Sequence, residues 1–155
     1  MVRKPKRLRD LEETDGAAMV EFALVIILLT IILLGVLQFG LMFYTKYAIT
    51  CASREGARYG VLYKVDNATP PQRIPPNALD PSIETVVRNY ITKLCSSVDQ
   101  ANVTVNISGA AYTTGNSGSE LIVTVTCQNP WDLLGGFLPF LKNTSFTAET
   151  TMLCE

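Results

Sequence analysis

The residues with chemical potential in this chain are a carboxylate, a glycine and four thiols, and their positions matter more than their number. Glu21 stands directly before the apolar run Phe22–Phe43, where a charge is costly, and Gly16 lies five residues upstream in Gly16-Ala17-Ala18-Met19-Val20-Glu21. A cut after Gly16 would create a cationic α-amine on Ala17, about one helical turn from Glu21. An unpaired carboxylate in hydrocarbon costs roughly 2.5–3.5 kcal/mol on insertion scales, so such an amine on a neighbouring subunit would reward correct register. Read alone, Glu21 is equally well placed to lie at the headgroup level and reach water.

Catalysis has little to work with. The chain has no histidine, which removes the commonest general base, the Ser-His and Cys-His nucleophile pairs and most catalytic zinc sites. The four cysteines, Cys51, Cys95, Cys127 and Cys154, lack the C-x-x-C spacing of a metal site. We expect no enzyme, no metal and no cofactor. All four follow the apolar run and are candidate disulfide partners if that side is oxidising. Three pairings exist, and sequence cannot choose among them. Cys127 and Cys154 fall on apolar faces of two strands expected to be neighbours, which favours Cys127–Cys154 with Cys51–Cys95 remaining; buried free thiols are the alternative.

The elements that carry these residues begin with the run itself. Phe22–Phe43 is interrupted only by Thr30 and Gln38. As a helix it spans roughly 33 Å, enough for a hydrocarbon core of about 30 Å, and it is too long for the apolar part of a secretory signal. Arg3, Lys4, Lys6, Arg7 and Arg9 precede it, against Lys46, Arg54 and Arg58 in the stretch that follows. The positive-inside rule puts the N-terminus in the cytoplasm and the rest outside. Asp10, Glu12, Glu13 and Asp15 cancel the basic field, and the net charge is −1, so no nucleic-acid partner is expected.

No proline occurs between Lys6 and Thr69, which lets the helix continue from the membrane to about Leu62. Ala48, Ala52, Gly56 and Gly60 recur every fourth residue, a narrow stripe that permits close packing on a partner inside or outside the chain. Arg54, Glu55 and Arg58 lie near enough for intrahelical pairs.

The combination of Gly16, Glu21, the long apolar helix and Ala48-Ile-Thr-Cys-Ala-Ser-Arg-Glu-Gly-Ala-Arg-Tyr-Gly60 resembles the TadE-like pseudopilins of tight-adherence (Flp) pilus systems. The resemblance covers residues 16 to 62 and carries the pattern A-x-R-E-G-A-R through Arg54, Glu55 and Arg58. It implies cleavage after Gly16 by a prepilin peptidase and a place for Glu21 at the fifth position of the mature chain. It further implies a role as a minor pseudopilin in assembling a Flp-type (type IVb) pilus for adherence. The implied partners are other pilins and pseudopilins, the assembly platform and the inner membrane. An uncleaved, membrane-tethered periplasmic binding module is the competing reading.

The outer part divides into a Pro-rich linker, 63–80, and an α+β domain, 81–155, packed with the outer half of the first helix; the leader is 1–16 and the long helix 17–62. Asp80, Pro81 and Glu84 form a helix start. Ile83, Val86, Val87, Tyr90, Ile91 and Leu94 share one face of an amphipathic helix ending near Cys95. Three alternating stretches follow, around Val103–Ile107, Leu121–Cys127 and Phe146–Cys154. The expected fold is pilin-like α+β: a long N-terminal transmembrane helix, a second helix and a small antiparallel sheet of about three strands. Gly109–Ser119 reads as a polar hairpin loop. Trp131, Phe137 and Phe140 lie in an apolar connection between the last two strands, read more readily as core closure than as a partner patch.

Overall fold

The computed structural model describes residues 6–95, 98–128 and 144–155. Helix α1, Lys6–Val61, is one unbroken element of 56 residues, about 84 Å long at 1.5 Å per residue. Its inner part exposes apolar side chains all round: Met19 is 77% and Val36 71% exposed. Its most apolar window has a mean hydropathy of 3.0 and none of it is buried within the chain. A helix apolar on every side and unburied requires an apolar solvent, and α1 anchors the chain in a membrane.

Beyond Phe43 the helix changes character. Thr45, Ala48, Ile49, Ala52, Ser53, Gly56, Ala57, Gly60 and Val61 are buried at spacings of three and four, a one-sided stripe of mostly small side chains. That stripe forms one wall of the core.

The opposite walls are a second helix and a sheet. Helix α2, Ile83–Leu94, buries Ile83, Val87 and Ile91. It starts two residues later than Asp80 and Pro81 suggest, because Ser82 is the N-cap: its Oγ accepts from the Thr85 N–H at 3.2 Å. Glu84 serves the outer surface, accepting from Arg88 Nε at 2.9 Å. The sheet has three antiparallel strands, β1 (Val103–Ser108), β2 (Glu120–Gln128) and β3 (Ser145–Leu153), in the order β1-β2-β3. Central β2 turns Leu121, Val123, Val125 and Cys127 inward, each fully buried, as the period-two alternation requires. Val125 faces Val105 on one side and Ala148 on the other. The α+β architecture expected from the sequence is present, with α1 packed across β2 and β3 and α2 against α1 and β1.

Two connections differ from expectation. Residues Ala111–Thr114, read as part of a polar loop, form a short helix α3. The Pro-rich stretch, read as a linker, is docked on the domain. Val65 bridges Arg73, Asp66 Oδ1 accepts from the N–H groups of Ala68 (3.2 Å) and Gln72 (2.8 Å), and Pro76 and Leu79 are buried. The apolar connection holding Trp131, Phe137 and Phe140 lies outside the described residues, as do Arg3 and Lys4.

Candidate assembly helix

Gly16, Ala17 and Glu21 lie on the exposed inner end of α1. The Gly16–Ala17 bond is inside the helix, and a Cβ added at Gly16 would meet nothing within 4 Å. Gly16 is therefore not required for packing, and in a helix it costs roughly 1 kcal/mol relative to alanine. It weakens the helix locally at that position. Glu21 is one turn further along, at the start of the unburied apolar surface.

The small-residue stripe has its partner within the chain. A Cβ at Gly56 would fall 2.4 Å from Val87 Cγ2, and one at Gly60 would fall 2.5 Å from Leu121 Cδ2 and 2.7 Å from Ile83 Cδ1. Ala48 and Ala52 are likewise buried. The stripe thus seats α2 and β2 on the helix.

Ser53 extends this seam with a polar contact that sequence reading missed. Its Oγ is fully buried, donates to the Val123 carbonyl at 2.9 Å and is hydrogen-bonded to Thr150 Oγ1 at 2.7 Å. One hydroxyl therefore ties α1 to both β2 and β3. A polar residue inside an otherwise apolar small-residue face was the available signal. Lower on the helix, Tyr44 Oη donates to the Leu94 carbonyl and Lys46 Nζ to the Thr147 carbonyl, fastening the base of the domain to the helix.

Arg54 and Arg58 project from the opposite, exposed side, with Glu55 half-buried beside them. The intrahelical pairs expected among them do not form. Among the described residues the one ion pair is Arg88–Glu84, and neither arginine has a hydrogen-bond partner among them. Arg54 and Arg58 are like charges one turn apart, and neither gains from closing on a half-buried carboxylate.

The cysteine pairing also needs correction. All four are free thiols. Cys127 faces Phe146 across β2 and β3, whereas Cys154 follows Leu153, the partner of Glu120; its N–H donates to the Ser119 carbonyl at 2.9 Å. The two sulfurs sit at opposite ends of the sheet, roughly 25 Å apart at the rise of a strand, far beyond bridging reach. Cys51–Cys95 fails for a similar reason. Cys95 adjoins Leu94, level with the Tyr44 turn, while Cys51 is two turns higher, about 10 Å along the axis. Burial, with a smaller contribution from neighbouring Cys95, pushes the Cys127 thiol pKa up. Cys127 is therefore a core side chain rather than a reactive one. Among the described residues no cluster of metal-ligating side chains occurs.

This geometry, an exposed apolar span headed by Gly16 and Glu21 and continuing into a packing helix that carries Arg54-Glu55-Gly56-Ala57-Arg58, coincides with a family match. Residues 16–58 match the family model described as TadE-like protein. The chain carries a TadE-like N-terminal segment. The match begins at Gly16 and ends at Arg58, so the TadE-like segment comprises the span and most of the outer half of α1. The remaining outer domain, α2 and the sheet, lies beyond it. No curated protein and no solved structure matches the chain.

Proposed function

We propose that this chain is a TadE-like minor pseudopilin that takes part in assembling a Flp-type pilus for surface adherence. The coarser role, association with the Tad pilus as a structural protein rather than an enzyme, is what the TadE-like family carries. The observation that supports the finer reading is the coincidence at Gly16. The family match starts at that residue, one turn before a carboxylate that opens an unburied apolar helix.

In this reading α1 crosses the inner membrane with its basic end in the cytoplasm, and the α+β domain stands on the periplasmic side. A prepilin peptidase removes residues 1–16. The new α-amine of Ala17 then pairs with Glu21 of an adjacent pilin or pseudopilin, because a carboxylate left unpaired in hydrocarbon costs roughly 2.5–3.5 kcal/mol. Arg54 and Arg58, exposed and without an ion pair among the described residues, face outward for contact with other subunits or the assembly platform.

N-terminal sequencing of the protein isolated from membranes of its native host tests this. A mature start at Ala17-Ala18-Met19-Val20-Glu21 is expected. Retention of Met1 or Val2 in cells with an active prepilin peptidase would refute processing and favour the uncleaved, tethered binding module.

A further inference from the structure

Where the sheet meets the membrane end of the domain, Phe39, Met42, Phe43 and Lys46 of α1 and Phe146 of β3 line an apolar groove of about 250 Å³. Phe39 and Phe43 stack edge to face, with centroids 4.6 Å apart, yet remain 62% and 60% exposed. We propose that this groove holds one phospholipid of the leaflet facing the domain, its acyl chain against the three phenylalanines and Met42 and its phosphate at Lys46. The inference rests on membrane anchoring by α1 and not on the pilus reading.

Three observations select this occupant. The first is depth. Phe43 ends the apolar run, Phe39 lies about 6 Å inward of it and Lys46 about 4.5 Å outward. The groove therefore crosses from hydrocarbon into the headgroup layer, the few ångströms by which a bilayer of about 40–45 Å exceeds its roughly 30 Å core. Tyr44 and Tyr47 are exposed at the same level, where amphipathic rings collect.

The second is lining chemistry. Four apolar side chains offer water no partners, and covering such an open apolar surface with hydrocarbon is favourable. The third is charge. Lys46 donates to the Thr147 carbonyl, which uses one of three ammonium donors, and no carboxylate among the described residues is paired with it. A phosphate satisfies the remainder as a charge-assisted bond. A second copy of α1 lying parallel would bring no carboxylate to that level, since none occurs on the helix between Glu21 and Glu55.

Native mass spectrometry of the full chain, released from nanodiscs of phosphatidylglycerol and phosphatidylcholine in equal parts, tests the proposal. One retained phospholipid per chain is expected, enriched in phosphatidylglycerol. Lys46→Gln should lower that retention about five-fold, the effect of one basic residue near an anionic surface, and Lys46→Arg should restore it. Phe146→Ser should also lower it, with hydrogen exchange across β2 confirming that the domain is folded. Val36→Ala, on the exposed span away from the groove, should leave retention unchanged. Equal retention in Lys46→Gln, Phe146→Ser and Val36→Ala would overturn the proposal, leaving only non-specific annular lipid. A lipid-free dimer that dissociates on Phe146→Ser would overturn it in favour of a second copy. Failure of the chain to remain in the nanodisc would refute the anchoring itself.

Discussion

The seam between α1 and α2 makes a quantitative prediction for Gly56→Ala. The added methyl would lie 2.4 Å from Val87 Cγ2, with Ile83 Cγ2 at 3.4 Å and Val123 Cγ1 at 3.6 Å. Ordinary carbon contacts are about 3.5–4.0 Å, so the Val87 methyl must retreat by about 1 Å. Val87 is fully buried on α2, and a β-branched side chain on a helix has essentially one rotamer. Relief must come from moving α2, an overpacking cost of roughly 1–3 kcal/mol. Removing a helical glycine returns about 1 kcal/mol, so the net loss is roughly 0–2 kcal/mol. The decisive assay is a double-mutant cycle with Val87→Ala, read from denaturant midpoints of the full chain in detergent micelles by near-ultraviolet circular dichroism. Val87→Ala alone should cost about 2–3 kcal/mol, the lost methyls plus a cavity. In the double variant the methyl at position 56 occupies that cavity, and the combined loss should fall short of the sum by about 1–2 kcal/mol. Additivity within about 0.5 kcal/mol, or a Gly56→Ala variant stabilised by the full propensity gain, would refute the close approach.

Further outcomes follow from the same contacts. Ser53→Ala should cost about 1–2 kcal/mol, because it strips a buried partner from the Val123 carbonyl and Thr150; an unchanged denaturation midpoint would refute that role. Ser82→Ala should lower stability by about 1 kcal/mol through loss of the α2 cap, whereas Asp80→Ala should change the midpoint by less than half as much. Arg54→Ala and Arg58→Ala should leave stability within about 0.5 kcal/mol of the parent chain, and a larger loss would show that they pack inside the subunit. The Cys127 thiol, its pKa raised by burial, should resist maleimide at pH 8 until the domain unfolds. The sign of its pH dependence is fixed: the unfolded thiol ionises first, near 8.5, so this contribution to stability is intact below that pH and is lost as pH climbs toward the folded value. A Cys127→Ser variant, compared with the parent, should flatten that alkaline decline.

Much of this fold could be read from the chain because its strongest signals are long. An apolar run continued without proline past the membrane dictates one helix, and three alternating stretches dictate strands with defined inner faces. Shorter signals misled. Asp80-Pro81 and Ser82 are both good helix starts, and only the hydrogen bond from Thr85 separates them. Ala111–Thr114 spans barely one turn, too short for periodicity to register. Alternation correctly turned Cys127 inward, but it reports the face of a strand and not the height along it, so it could not show that Cys154 sits at the far end of the sheet. The small-residue stripe announced a close contact without naming its partner. Val87, Ile83 and Leu121 meet it only once the chain has folded back through the docked linker.

The unbroken course of α1 means that the span and the domain are keyed to one another like a shaft and its cam. Thr45–Val61 belongs to the membrane helix and to the core of the domain at once, with no swivel between them. Advancing the helix by one residue of register in a bundle turns it by about 100°, and the sheet must swing through the same arc. Were the inner helix to pack among neighbours, its azimuth would decide which flank of the domain each neighbour meets. An axial push on the buried helix likewise reaches the domain undiminished.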